Sequence, residues 1–181
     1  GAVAAVGRRA VSQERPWSLS PATLRSAPVV PDLVLPSPNG SAISAAASAT
    51  GLPVVAGCVR NAPAVARWLL SERYGTSRAP IGVVAAGERW PDGTLRPGVE
   101  DLLGAASVLD GLADAPGGLS VEAAVALSAL TGVPDVRAAI QGCASGRELA
   151  ESGFAEDVAI AIEAGISDVV PLLDKGVFAA A

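Results

Sequence analysis

Three stretches hold most of the side chains that could act on a ligand. They are Ser37-Pro38-Asn39-Gly40-Ser41, Cys58-Val59-Arg60-Asn61, and Gly87-Glu88-Arg89-Trp90 running on to Arg96, Glu100 and Asp101. Together they offer hydroxyl and amide donors, two or three guanidinium groups and a set of carboxylates. That set suits an anion held near a hard cation. Arginine grips two phosphate oxygens at once, and carboxylates with water are what Mg2+ accepts as ligands. Phosphoryl transfer to water asks for positioning and charge neutralisation more than for a histidine. The chain has no histidine at all, which removes the commonest general base and any Ser-His or Cys-His pair within it.

Each piece also has a plainer reading. Asn39-Gly40 makes a good turn and Ser41 a good N-cap. Arg60 could be a solvated side chain and Asn61 a cap. Glu100 and Asp101 fall in a helix's first turn, where acidic groups interact favourably with the dipole. Glu88, at a strand end, is the hardest to dismiss. The first stretch is not a P-loop, because it has a single glycine with no lysine after it.

The elements expected to position these loops are three apolar runs and the helices between them. Leu33–Leu35, Val54–Val59 and Ile81–Ala86 read as buried strands. A helix from Ser41 to about Thr50 should end at Gly51, and a second, capped by Asn61, should run to Gly75 with Ala62, Val65, Ala66 and Leu69 on one face. Strand and helix alternation predicts parallel β-α-β crossovers. All three polar loops should then meet beyond the carboxyl ends of the strands, where ligands bind in open parallel sheets. The remainder reads as helices over Val99–Leu112, Ser120–Thr131, Asp135–Cys143 and from Ser145, where Ser145 and Glu148 have capping-box spacing, with a short strand at Val169–Leu173. The expected fold is α/β: a three-layer, mostly parallel sheet with flanking helices and a helix-rich C-terminal part, in a single domain over residues 1–181.

With 181 residues, half of them apolar, the chain is long enough for one core. Charged residues make up 17 % and the net charge is -5, which leaves little basic field for nucleic acid. No run reaches the length of a membrane span and Gly1–Pro16 has no signal-peptide core, so neither nucleic acid nor membrane is an expected partner. Two widely spaced cysteines, Cys58 and Cys143, favour a reduced, cytoplasmic setting. The sequence has no methionine, and upstream sequence is expected to be missing.

In order and spacing, "LPSPNGSAIS", "VVAGCVRNAPAVARWL", "GERWPDGTLRPGVEDLLGAASVL" and "CASGRELAESGFAEDVAIAIEAGISDVVPLL" resemble the 2-phosphosulfolactate phosphatase family, over about Trp17–Phe178. The resemblance implies a Mg2+-dependent acid phosphatase that hydrolyses 2-phosphosulfolactate, or a similar phosphorylated hydroxy acid, to 3-sulfolactate and phosphate, a step towards coenzyme M. It places Asn39, Gly40 and Ser41 on the Asn-Gly-Ser/Thr motif, with serine where threonine is often found. Arg60 and Asn61 fall on the second motif, Glu88, Arg96, Glu100 and Asp101 on the third, and Cys143, Ser145, Gly146 and Arg147 on the fourth.

On that basis Glu88, Arg60 and Arg96 are expected to be catalytic, and Asn39, Gly40, Ser41, Asn61 and Arg147 to bind substrate. Glu88, Glu100 and Asp101 are expected to hold Mg2+. Family members carry a further N-terminal portion, a strand ending in Asp-Val and a polar turn, that nothing in Gly1–Arg15 matches. The resemblance also points to a homodimer. The competing reading is a non-catalytic phosphate- or anion-binding α/β module, and a third is a purely structural subunit.

Overall fold

Short helices, many of them alanine-rich, make up most of the regular elements of the structure, a computed structural model that describes residues 1–181. In chain order the elements are β1 (Val3–Ala4), α1 (Pro21–Ser26), β2 (Leu33–Val34), α2 (Pro38–Ser48), α3 (Ala62–Ser71), β3 (Glu88–Arg89) and β4 (Leu95–Arg96). There follow α4 (Val99–Asp110), α5 (Val121–Thr131), α6 (Val136–Gly142), α7 (Ala144–Glu151), α8 (Ala155–Ala161), β5 (Pro171–Asp174) and β6 (Val177–Ala180). The fold is thus mixed helix and strand. Ser20, Ser120 and Asp135 each accept a backbone N–H three residues on and so start α1, α5 and α6. No single helix is long and apolar enough to cross a membrane.

The strands form three separate two-stranded sheets rather than one. Only β1 and β2 run parallel, pairing Val3 with Leu33 and Ala4 with Val34. The first expected strand is therefore present, but its partner comes from the N-terminal segment. β3 and β4 form an antiparallel hairpin in which Glu88 lies opposite Arg96. β5 and β6 form another, whose turn places Lys175 at φ 48° and Gly176 at φ 84°, the left-handed pair a tight two-residue hairpin requires.

The three-layer parallel sheet expected from the strand spacing is not formed by these hydrogen bonds. Val54–Val59 touches β5 through Ala56 N–H to Pro171 O (3.0 Å) and Leu173 N–H to Val54 O (2.8 Å), an antiparallel bridge centred on Val55 and Leu172. Val55 and Gly57 have no backbone partner, and no residue of Ile81–Ala86 makes a backbone–backbone hydrogen bond. Apolar, β-branched runs signal burial in extended form, but a ladder also needs a neighbour at strand spacing. Both runs instead line an open cleft of about 610 Å3.

The core lies between helices. Ala62, Ala64, Val65 and Ala66 of α3 pack with Val108, Leu112 and Val170, and Trp68, Leu69 and Ile81 lean on them. The expected face of α3 is therefore the buried one. A Cβ on Gly111, just past α4, would come within 2.5 Å of the Ala66 Cβ, so α3 and α4 approach at a point where only glycine fits. A second cluster joins Val59, Leu103 and Ile140, with Leu130, Val133 and Val136 around it. The N-terminal segment is fastened to α8 by Asp157, 3 % exposed, which accepts from Ser20 Oγ (2.5 Å), Ala22 N–H (3.1 Å) and Arg8 Nε (3.0 Å).

Candidate functional site

Helix α2 starts four residues earlier than a Ser41 cap would set it, with Ser37 at the cap position. Pro38 takes its first helical position, which suits a fixed φ and a residue with no N–H. Asn39, Gly40 and Ser41 are therefore its first turn rather than a loop before it, and Ser41 hydrogen-bonds the Ser37 carbonyl instead of capping. The N–H groups of Asn39 and Gly40 donate to no protein acceptor, as expected for a helix start. The Asn39 side chain donates from Nδ2 to Glu88 Oε1 at 3.0 Å. The first and third polar stretches thus meet.

The third stretch is the β3–β4 hairpin. Asp92 Oδ1 accepts from Thr94 N–H (2.9 Å) and Thr94 Oγ1 (2.6 Å), and Gly93 sits at φ 85°, so Asp92 builds the turn. The hairpin register sets Arg96 opposite Glu88. Arg96 is gripped by Glu148 of α7, Nη1 to Oε1 at 2.7 Å and Nη2 to Oε2 at 3.0 Å, with Ser145 Oγ 3.4 Å from Nη2. Its Cζ lies 5.5 Å from the Trp90 ring centroid. Its pKa is raised chiefly by the Glu148 hydrogen bonds, against a smaller desolvation, with Glu88 and Glu100 adding to the rise.

Glu100 and Asp101 open α4 behind Gly98. A Cβ there would meet Asp101 Oδ2 at 2.9 Å and Glu100 Oε1 at 3.1 Å, so both carboxylates fold back over a bare backbone position. Asp101 is half-buried. Burial first, then Glu100 and Glu88, push its pKa up, while the Gly87 N–H pulls it down. Gly87 holds φ 68°, and a Cβ would strike Leu95 Cδ1 at 2.9 Å. Glu88, Glu100 and Asp101 therefore share one electrostatic neighbourhood. Glu100 and Asp101 are also the only charged groups lining the 610 Å3 cleft, whose other walls are largely apolar.

No three His, Cys, Asp or Glu side chains converge on one metal-ion position. The donor set nevertheless fits a hard cation that keeps most of its waters. Mg2+ is commonly bound through one or two carboxylates plus substrate oxygens, and Asp101, whose ionisation is penalised by burial and by neighbouring acids, gains from a cation.

The other expected site residues lie elsewhere or are otherwise engaged. Asn61, buried, donates to Ala56 O (3.2 Å) and Val169 O (3.0 Å) and accepts from Cys58 N–H (2.8 Å). Both its amide hydrogens are used in fastening the loop. Arg60 turns to the end of α8, bonding Ile160 O (2.7 Å) and Glu163, which also pairs with Arg25 at 2.6 Å. Arg60, Arg25 and Cys58 line a second pocket of about 460 Å3, which shares Cys58 and Ala161 with the larger cleft. Arg147, exposed, bonds the Gly142 carbonyl at the end of α6.

The fourth motif is brought to the site by α7. Cys143, not Ser145, caps it, its sulfur accepting the Gly146 N–H at 3.4 Å and lying 3.3 Å from Glu100 Oε2. Gly146 is there for space, since a Cβ would sit 2.3 Å from Ile140 O and 2.7 Å from Gln141 O. Burial raises the Cys143 pKa, with Glu100 adding to the rise. Both cysteines are free thiols. Sequence reasoning gave Glu148 only a capping role and did not single out Glu163. The surplus of acidic side chains in the C-terminal helices was the one available hint.

The sequence pattern described as 2-phosphosulpholactate phosphatase matches residues 16–176. No curated protein matches the chain.

Proposed function

The chain belongs to the 2-phosphosulpholactate phosphatase family, whose members are phosphoric monoester hydrolases, and from this premise we propose that it hydrolyses the phosphate ester of a small phosphorylated hydroxy acid with Mg2+, 2-phosphosulfolactate being the substrate to test first. The observation that carries the reading is the meeting of four separated parts of the chain: Asn39 on Glu88, Glu88 opposite Arg96, Arg96 on α7, and Glu100 beside Cys143.

In this reading Arg96 and the free N–H groups at the start of α2 bind the phosphate oxygens, and Ser145 adds a hydroxyl at the guanidinium. Asn39 fixes one oxygen of Glu88, so that a held carboxylate stands by to orient the attacking water and take its proton. Glu100 and Asp101 would hold Mg2+, which would supply charge neutralisation for the phosphate and the leaving group. The alkoxide that departs when the P–O ester bond breaks takes a proton from solvent, balancing the one Glu88 removes from the attacking water, and leaves as the alcohol. Arg60, Asn61 and Arg147 stay outside the reacting centre, because each is committed to backbone carbonyls or to Glu163.

The expected three-layer sheet belongs to the same proposal. Val54–Val59 and Ile81–Ala86 supply extended apolar backbone of the kind such a sheet would pair. A cytoplasmic setting and a homodimer are likewise proposed with the family reading.

The test is phosphate release from 2-phosphosulfolactate and from p-nitrophenyl phosphate. Turnover should need Mg2+, stop with EDTA and return when Mg2+ is restored. An intact, folded protein that turns over no small phosphomonoester under these conditions would refute the reading.

A further inference from the structure

We infer that Glu148 is the positioning residue that presets Arg96 for the phosphate, an assignment that rests on the phosphatase reading and extends it. Arg96 carries a long, rotamer-rich side chain, yet it is held on three sides. Glu148 takes its two terminal nitrogens at 2.7 and 3.0 Å, Ser145 Oγ lies 3.4 Å from Nη2, and the Trp90 ring covers one face. A guanidinium has five N–H donors in one rigid plane. Glu148 uses one on each terminal nitrogen, and the Nε–H donates to no protein acceptor. The second Nη2–H donates to Ser145 Oγ at 3.4 Å, a long contact that a phosphate oxygen would replace, so that the edge formed by Nε–H and this Nη2–H becomes the bidentate fork a phosphate oxygen pair fits.

Holding one edge with a carboxylate fixes the direction of the other, so the entropy of ordering Arg96 is spent in folding rather than in binding. A carboxylate that merely occupied the phosphate's place would have the opposite effect. Removing it would tighten binding.

The experiment measures inorganic phosphate binding by calorimetry with Mg2+, alongside steady-state turnover of p-nitrophenyl phosphate. It compares wild type, Glu148→Ala, Glu148→Gln, Arg96→Ala and the Arg96→Ala/Glu148→Ala pair. Glu148→Ala should weaken phosphate binding and raise KM roughly tenfold, as losing a charge-assisted contact implies, with kcat within about threefold of wild type. Glu148→Gln, which keeps one acceptor oxygen, should fall between and supplies the readout if the alanine variant does not fold. In the Arg96→Ala background the alanine change should add nothing.

Tighter binding or a lower KM in Glu148→Ala overturns the inference, as does no change. An equal loss in the Arg96→Ala background also overturns it, because Glu148 would then act through α7 alone. Glu148-dependent phosphate binding without turnover sinks the phosphatase reading and keeps the positioning role. Turnover that ignores Glu148 does the reverse. A wild-type protein that binds no phosphate overturns both.

Discussion

Replacing Asp157 by alanine should cost this protein a large share of its stability, although the residue lies outside the proposed reacting centre. Asp157 is 3 % exposed and receives three donors: Ser20 Oγ at 2.5 Å, Ala22 N–H at 3.1 Å and Arg8 Nε at 3.0 Å. A hydrogen bond to a charged acceptor contributes about 1.5–3 kcal/mol, and Ser20 and Ala22 make two of them. The Arg8 side chain is 33 % exposed, so solvent screening holds that pair to less than about 1 kcal/mol.

Alanine also strands the buried Ser20 hydroxyl, which serves Thr23 N–H as a helix cap. These contributions total about 3–7 kcal/mol, and the usual cost of removing one partner from a buried charge network, about 3–5 kcal/mol, sets the expected loss. Against a typical total of about 5–15 kcal/mol, the variant should fold but melt early. Asparagine, which keeps one acceptor oxygen, should lose about half as much. Urea unfolding followed by circular dichroism measures both. The decisive control is a double-mutant cycle with Ser20→Ala, where coupling of at least about 1 kcal/mol is expected between groups in contact. A loss below about 1 kcal/mol for Asp157→Ala, or strict additivity with Ser20→Ala, would refute the reasoning. α8 also places Ile160 O and Glu163 on Arg60, so the same variant should loosen the 460 Å3 pocket before the rest of the chain unfolds.

Other outcomes are equally specific. The raised pKa of Asp101 means that its protonated form is favoured in the folded state. The stabilisation this gives is complete below the unfolded pKa and is lost as pH rises through the folded one. In thermal melts without metal, wild type should therefore lose ground to Asp101→Asn as pH rises from acid to neutral, and Mg2+ should narrow the gap. A pH-independent difference between the two counts against the shared carboxylate neighbourhood. Gly146→Ala should destabilise by at least about 2 kcal/mol in urea, because the added methyl meets two backbone carbonyls that cannot step aside. Burial holds the Cys143 thiol protonated, so iodoacetamide should label the exposed Cys58 first, as mass spectrometry can follow. Cys143→Ala should keep measurable turnover if the thiol is no nucleophile.

Local signals in the sequence were read correctly where one helix could decide them. The buried face of α3, the acidic first turn of α4 and the starts of α5 and α6 near Ser120 and Asp135 all depend on residues within a turn of one another. Ser41 misplaced the start of α2 because Pro38 fits the first helical position better than a serine cap competes for it. The sheet was out of reach for a different reason. Leu33–Val34 finds its partner at Val3–Ala4 and Val55 finds Leu172, and no pattern inside a strand specifies a partner so distant.

The site divides along the same line. The nearness of Asn39, Glu88, Arg96, Glu100 and Asp101 to one another was legible, because polar loops that follow apolar runs were expected to meet. Glu148 and Glu163, which lie 52 and 103 positions from the arginines they hold, look like ordinary surface acids until the fold brings them round. Asn61 is spent on the backbone around its loop, and an amide that staples a loop and an amide that binds a ligand have the same name in a sequence.

The unpaired backbone along the 610 Å3 cleft bears on where hydrolysis gets its water. An apolar cavity of that size, walled only by valine and alanine side chains, would tend to stay dry. This one cannot. Val55, Gly57 and the whole of Ile81–Ala86 present N–H and C=O groups with no backbone partner, and such groups must be solvated. The cleft is thus a hydrated passage with greasy walls, and the only charged groups on its surface are Glu100 and Asp101. A phosphatase needs a steady supply of one reactant besides its ester. Here the peptide backbone itself would keep that reactant standing beside the carboxylates.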